Sequence, residues 1–320
     1  MSLTSLKVSR GTFYSAIQKS NLLSSHFDEN KSLKKLFDVV DHSVSEETFE
    51  LLHDEELDML MTHPQPQLGE LSKYYESQDY ISHTDAKRNV FERVYHIVRS
   101  YTLKKKVRLI EINRSSQSKR LLDVGCGTGD FLKKAHGHGW DIVGVEPDED
   151  ARKIASDKNG PVILESTDLM NTTDNGFDII TLWHVLEHLP DFDEQLRKFH
   201  RLLKKDGKLI IAVPNFKSYD AGYYKAYWAA FDVPRHLWHF SRQAMELISK
   251  KNDLTVQKIL PMKFDAYYVS MLSEKIKTGK LNFLKALTIG FISNLRARGN
   301  GEYSSLIYVL EKEKTGNNAI

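Results

Sequence analysis

The sequence is nearly free of cysteine and has no long uninterrupted apolar run. Cys126 is its single cysteine, which excludes an internal disulfide and a cluster of cysteine metal ligands. Residues 1–14 show no continuous apolar stretch of the kind found in a secretory signal. Residues 281–295 are strongly apolar, but Lys285 interrupts them and they fall short of the roughly 20 residues that cross a bilayer. We therefore expect a cytoplasmic protein in which residues 281–295 form a buried or substrate-facing helix.

An excess of charge of either sign is also missing. Lysine and arginine number 45 against 43 aspartate and glutamate residues, which gives a formal net charge of +2. This balance produces no broad positive field for phosphate backbones, so no nucleic-acid partner is expected. The hydrophobic content of 41% is sufficient for a packed core without metal or disulfide support.

From about residue 121 onward, short β-branched runs alternate with amphipathic helical stretches. This alternation predicts an α/β fold in which helices cover both faces of a parallel sheet. Helices are predicted at 130–135, 148–156 and 192–203, the last stopped by Gly207, and a further helix through residue 249 is capped by Ser241. The seven predicted strands are 121–124, 141–145, 161–165, 177–182, 208–213, 254–260 and 304–310.

The N-terminal third has a different character, with polar turns and few glycines. Apolar residues at three- and four-residue spacing predict a long helical stretch over 85–112, which would dock on the core or form a lid. We therefore divide the chain into an N-terminal extension (1–115), an α/β domain (116–313) and a tail (314–320).

The most informative motif is a glycine loop between the first α/β strand and its helix. Gly125, Gly127 and Gly129 allow a tight turn and close approach of a ligand to the backbone. In the dinucleotide motif the third glycine would stand at position 130, which is Asp130 here, and this argues against NAD or FAD. Asp123, at the end of the strand, suits a ligand with an amine and a sulfonium, such as S-adenosylmethionine.

Three further motifs follow the loop in order. Glu146 ends the next strand, where its carboxylate can accept both hydroxyls of a ribose. Residues 177–189 read FDIITLWHVLEHL and residues 202–215 read LLKKDGKLIIAVPN. Together the four motifs resemble the class I S-adenosylmethionine-dependent methyltransferases, and are most similar to small-molecule O-methyltransferases of the ubiquinone-biosynthesis type. The resemblance implies a Rossmann-like, mostly parallel sheet of seven strands whose last strand is antiparallel.

The resemblance also implies S-adenosylmethionine as cofactor. Asp123, Gly125 and Gly127 would hold its methionine end and Glu146 its ribose, while Asp168 in the loop 166–169 would lie beside adenine. The alternative interpretations without a ligand are an ordinary strand-to-helix turn for the glycines and a solvated turn residue for Asp168. The cofactor contacts implied are Asp123, Gly125, Cys126, Gly127, Gly129, Glu146, Pro147, Asp168, Leu169, Trp183, His184 and Tyr80.

Two histidine-rich segments are candidates for catalysis. His184 and His188 follow the fourth strand at a spacing that predicts one shared helix face, and His188 could instead cap and pack the start of that helix. No third ligand is evident for this pair, so no metal site is predicted. Residues 228–241 resemble a stretch of a bacterial subset of these methyltransferases, with His236 as a candidate base. Tyr223, Tyr224 and Trp228 are predicted to form walls of the acceptor site, and Arg235 is predicted to bind an acidic group of the substrate.

The functional hypothesis is methyl transfer from S-adenosylmethionine to a small-molecule acceptor, at a hydroxyl by family precedent. Two alternatives remain open: a non-catalytic cofactor-binding partner subunit, and a protein or RNA methyltransferase that uses the N-terminal extension. Residues 37–64 also resemble a ribbon that binds metal through paired cysteines in some related methyltransferases. Because this segment has no cysteine, a metal-free ribbon is expected.

Overall fold

The computed structural model describes residues 33–67, 69–75, 90–114, 118–160, 162–165 and 174–313. Three predicted cofactor contacts, Tyr80, Asp168 and Leu169, lie outside these residues. The described chain forms two sheets, one of seven strands and one of four.

The larger sheet has the predicted seven strands in the order β10-β11-β8-β7-β4-β5-β6. Strands β4 to β8 run parallel, whereas β11 is antiparallel to both of its neighbours, β8 and β10. The Rossmann-like sheet with an antiparallel last strand is therefore confirmed. The strand bounds are β4 Arg120–Val124, β5 Asp141–Val145, β6 Ile163–Leu164, β7 Phe177–Trp183, β8 Leu203–Pro214, β10 Leu254–Pro261 and β11 Ser305–Lys312.

Helices flank this sheet, which leaves central strands such as β7 almost completely buried. Asp148 and Ser241 cap two of the helices, because their side chains accept hydrogen bonds from Ala151 N and Ala244 N. The cap predicted at Ser241 is thus confirmed. The helix bounds are α1 Val90–Ile112, α2 Asp130–His136, α3 Glu149–Asn159, α4 Phe192–Leu202, α5 Tyr219–Tyr224, α6 Arg242–Lys251, α7 Asp265–Thr278 and α8 Phe283–Asn300.

Gly207 does not stop a helix as predicted. Helix α4 ends at Leu202, and Gly207 lies inside strand β8, which starts directly afterwards. A Cβ at Gly207 would lie 2.9 Å from Leu203 Cδ2 and 3.0 Å from the carbonyl oxygen of Phe177. The glycine is required here by close packing between strands, and periodicity alone cannot separate that role from a helix stop.

The smaller sheet is antiparallel and is formed by the N-terminal extension and a short strand from the α/β domain. Strands β1 (Leu33–Val40), β2 (Thr48–Asp54) and β3 (Met59–His63) span most of the segment interpreted as a ribbon. Strand β9 (Trp238–His239) pairs with β3. The extension is therefore bound to the loop that carries Arg235 and His236.

Helix α8 differs from the helix expected over 281–295. Ala286, Ile289 and other residues on one side are buried, but Leu284 and Phe291 on the other are 78% and 57% exposed. The expectation of a buried or substrate-facing helix is wrong for this outer side. Among the described helices, none has the length and apolar character needed to cross a membrane.

Candidate active site

A cavity of about 1040 Å³ opens at the carboxyl ends of β4, β5 and β7. Open parallel sheets bind their ligands at this position, where the strand order reverses. The glycine loop and the end of β5 form one side of the cavity. The other side is formed by the 3₁₀ helix Leu186–His188, the loop before β9, helix α7 and the turn after β1.

The glycine loop has a backbone that other residues rarely adopt. Gly125, Gly127 and Gly129 have φ angles of +68°, +54° and +76°. A Cβ at Gly125 would lie 2.5 Å from Val185 Cγ2, whereas one at Gly127 would meet no protein atom within 4 Å. Since Gly127 lines the cavity, the missing side chain leaves space for a ligand against the backbone.

Glu146 connects this loop to strand β5. Its Oε2 accepts a hydrogen bond of 2.7 Å from Gly127 N, and its Oε1 accepts one of 3.0 Å from Asp148 N. Burial raises the pKa of the Glu146 carboxyl, against the opposing effect of these two hydrogen bonds. The side chain reaches the cavity wall, as does Pro147. The loop and the carboxylate are therefore positioned to bind one ligand together.

Asp123 lies behind the glycine loop and does not line the cavity. It is 2% exposed and accepts a hydrogen bond of 2.6 Å from Thr181 Oγ1. Burial raises its pKa to about 7. A predicted direct contact, Cys126, is also turned inward, because its Sγ packs against the position of Gly144 in the core.

His184 is held as a cation beside the cavity. It has a left-handed backbone (φ +59°), and its Nε2 and Nδ1 lie 3.1 Å from Asp265 Oδ2 and 3.3 Å from Glu187 Oε1. Burial opposes its charge, but the two carboxylates outweigh burial and raise its pKa to about 10. An imidazolium cannot accept a proton, so the geometry gives no support to His184 as a catalytic base.

The rings of His188 and His236 pack against each other in the wall of the cavity. Their ring centroids are 4.5 Å apart with the planes nearly perpendicular. Nδ1 of His188 lies 3.0 Å from the Arg235 carbonyl oxygen, and Nδ1 of His236 lies 2.9 Å from that of Ala230. Because a carbonyl only accepts, these two contacts assign a ring proton to each Nδ1, and a neutral ring then has its lone pair on Nε2.

The predicted shared helix face of His184 and His188 is wrong. The chain turns at His184 through the left-handed region and then forms only a single 3₁₀ turn. The His188 ring consequently contacts Arg235 and Tyr75, while the His184 ring contacts Asp265. His188 does not cap this turn, because its ring bonds belong to those tertiary partners.

A family model described as a methyltransferase domain matches residues 95–259, just over half of the chain. The chain belongs to this family. It is a class I S-adenosylmethionine-dependent methyltransferase, and S-adenosylmethionine is its cofactor.

Curated relatives carry quinone-biosynthesis names. Demethylmenaquinone methyltransferase of Staphylococcus saprophyticus is 30% identical over 43% of this chain and 62% of its own length. The mitochondrial ubiquinone biosynthesis O-methyltransferase of Bos taurus is 27% identical over 46% of this chain and 44% of its own length. The methyltransferase therefore spans less than two thirds of each. A solved methyltransferase from Archaeoglobus fulgidus is 19% identical, with a TM-score of 0.46 over 67% of this chain and 94% of its own.

In this methyltransferase Arg235 lines the cavity, but its guanidinium is bonded to other groups of the protein. Its Nη2 donates to Asp41 Oδ1 at 3.0 Å and to Asp232 Oδ1 at 2.7 Å, and its Nη1 donates to the Tyr74 carbonyl oxygen at 2.9 Å. Arg235 is 7% exposed. The predicted contact with an acidic substrate group is therefore replaced by bonds that hold the loop against the extension.

The predicted aromatic walls are only partly present. Trp228 lines the cavity, with its Nε1 donating to Asp220 Oδ2 at 2.8 Å. Tyr223 and Tyr224 do not line it: Tyr224 is buried in the same apolar cluster as Trp228, and Tyr223 packs edge-on against the Tyr224 ring. The lining residues that were not predicted from the sequence include Tyr227, Met262, Tyr268 and Leu272.

Gly125→Ala should destabilise the methyltransferase. A left-handed backbone costs an ordinary residue about 1–2 kcal/mol, and the added Cβ also collides with Val185. For a domain of this size, we expect the Tm to fall by about 2–8 °C in calorimetry. Gly222→Ala is the control, because Gly222 lies in helix α5 with no atom near its missing Cβ. Equal melting of Gly125→Ala and the parent would contradict the argument.

Arg235→Ala should lower the free energy of unfolding by about 3–5 kcal/mol, because Asp41 would remain buried without its cation. Urea denaturation measures this change. Arg201→Ala, at an exposed position, should change stability by less than about 0.5 kcal/mol. If the Arg235→Ala protein has normal stability but no longer binds an acceptor, the result would instead support the predicted contact between Arg235 and the substrate.

Proposed function

We propose that the chain transfers a methyl group from S-adenosylmethionine to a hydroxyl of a small-molecule acceptor. In this proposal Gly125 and Gly127 bind the methionine end of the cofactor, and Glu146 accepts the ribose hydroxyls. Asp123 supports the loop from behind, and Trp183, which lines the cavity, flanks the transferred methyl. Positions Asp168, Leu169 and Tyr80 remain proposed contacts on the basis of the resemblance.

One observation carries the proposal: a single cavity joins the cofactor loop on one side to two histidine Nε2 lone pairs on the other. Its volume of about 1040 Å³ is at the upper end of the roughly 300–1,000 Å³ of ligand sites, which suits a cofactor together with an acceptor. The walls are mainly apolar and aromatic, and this favours an aromatic or otherwise apolar acceptor that carries the hydroxyl.

The chemistry that we propose is an in-line displacement. The acceptor oxygen forms a bond to the methyl carbon, and the electrons of the carbon–sulfur bond go to sulfur, which gives S-adenosylhomocysteine. Holding the two reactants in line can supply about 7–11 kcal/mol of the barrier. The acceptor must also lose its proton, and we assign this activation to the side of the cavity that carries His188 and His236. The His184 cation supports this region through its ion pair with Glu187.

Incubation of the purified protein with methyl-labelled S-adenosylmethionine and a fractionated cell extract tests the proposal. We expect label in a low-mass, extractable product, and a large loss of that label with His236→Ala. Label found only in protein or RNA would support a macromolecular acceptor instead. Cofactor binding without any transfer would support a non-catalytic partner subunit.

A further inference from the structure

Three potential metal ligands lie together at the acceptor side of the cavity, where His188 and His236 line the wall and Glu187 is buried beside them. Glu187 and His188 come from the 3₁₀ turn after β7, and His236 comes from the loop before β9. One ligand atom from each of the three side chains lies within 4.8 Å of the other two. The backbone bond from Leu237 N to the Glu187 carbonyl oxygen (2.8 Å) ties the two segments together beside this cluster.

Both histidines are oriented as metal ligands are. Each donates its Nδ1 proton to a backbone carbonyl, His188 to Arg235 at 3.0 Å and His236 to Ala230 at 2.9 Å. A histidine that binds a metal almost always donates its other ring nitrogen in this way, which fixes the tautomer and the ring orientation. The two Nε2 lone pairs are consequently available for an ion.

The Glu187 carboxylate lacks the hydrogen-bond donors that burial requires. It is 1% exposed, and among the described residues neither of its oxygens has a hydrogen-bond partner. Oε1 lies 3.3 Å from His184 Nδ1, which is an ion-pair distance without hydrogen-bond geometry. The His184 cation compensates the charge of Glu187, but a buried carboxylate also needs hydrogen-bond donors or a metal, and the described residues supply no donor.

A second carboxylate adds negative charge at the same place. Asp232 Oδ2 lies 4.0 Å from His236 Nε2, while the Oδ1 atom of Asp232 accepts from Arg235. The cluster therefore combines two imidazoles and a buried carboxylate with an acidic neighbour. Imidazole ligands favour transition metals such as Zn²⁺, Fe²⁺ or Co²⁺, whereas Mg²⁺ and Ca²⁺ prefer oxygen ligands.

We propose that Glu187, His188 and His236 form a binding site for one divalent transition-metal ion. This inference rests on the proposed function and refines it, since His188 and His236 line the cavity that is proposed to bind the acceptor hydroxyl. A metal-bound hydroxyl loses its proton near neutral pH because the ion stabilises the oxygen anion. The proton leaves to water, and the oxygen then attacks the methyl carbon. His188 and His236 act here by holding the ion rather than by accepting the proton.

Cobalt titration of the chelator-treated full chain tests the site directly, because Co²⁺ gives a visible absorption band that reports its ligands. We expect one Co²⁺ per chain. Glu187→Gln and His236→Gln should each weaken Co²⁺ binding by more than about 100-fold, since even loss of an indirect contact to a metal ligand costs about 10- to 100-fold. His138→Ala, at an exposed histidine, should leave the band unchanged.

Circular dichroism of both glutamine variants shows whether they fold, and the two substitutions lie in different segments, so one folded variant is sufficient. No stoichiometric Co²⁺ band in the parent, or an unchanged band in a folded variant, overturns the inference. Methyl transfer at the full rate by chelator-treated enzyme would overturn the proposed metal site and leave the proposed function standing. If the protein binds the metal but transfers no methyl group to any small molecule, the metal site is supported and the proposed function fails.

Discussion

Glu146→Ala should weaken the binding of S-adenosylmethionine by about 100-fold or more in calorimetry. The carboxylate is proposed to accept two ribose hydroxyls, and hydrogen bonds to charged groups contribute about 1.5–3 kcal/mol each. Glu146 also accepts from Gly127 N and Asp148 N, so the substitution loosens the loop that contacts the cofactor. The substitution should therefore weaken cofactor binding in two ways, by removing the ribose contacts and by altering the geometry of the loop.

Two variants make this result specific. Glu149→Ala removes an exposed carboxylate from the first turn of α3, three residues away, and should bind the cofactor as the parent does. Glu146→Gln keeps the shape of the side chain but has one acceptor oxygen instead of two, so its affinity should lie between those of the parent and Glu146→Ala. If Glu146→Ala retains the affinity of the parent, the ribose site is elsewhere.

His236→Ala should lower kcat by about 10²- to 10⁴-fold, the usual loss when assistance to proton removal in the transition state is lost. The affinity for S-adenosylmethionine should remain unchanged, because His236 lies on the acceptor side of the cavity. Single-turnover transfer of labelled methyl, measured beside cofactor calorimetry, separates the two effects. His138→Ala is the matched control at an exposed position. An equal loss of transfer in both variants, or a loss of cofactor affinity in His236→Ala, would contradict the assignment.

The cofactor side of the cavity was predictable because its determinants are local in sequence. The loop glycines stand immediately after a buried strand, and Glu146 ends the neighbouring strand. In a parallel sheet both ends lie at the same edge, so sequence order alone brings them together. Direct contact was harder to predict, since the inward orientation of Cys126 and Asp123 depends on packing behind the loop.

The acceptor side could not be predicted in the same way, because distant partners determine its chemistry. Arg235 meets Asp41, which is 194 residues away, and this ion pair turns a predicted substrate contact into a structural one. Asp265 follows His184 by 81 residues and converts that ring from a candidate base into a cation. Charge pairs across such separations leave no periodic signal in a single sequence.

We propose that one cavity holds the cofactor against the glycine loop and directs its sulfur toward the histidine cluster. A crystal structure of the full chain with S-adenosylhomocysteine tests it most directly. We predict the ribose hydroxyls within hydrogen-bond distance of Glu146, the homocysteine chain along Gly125 and Gly127, and the sulfur facing His236. A nucleoside bound elsewhere, or a sulfur directed away from that histidine, would contradict the account.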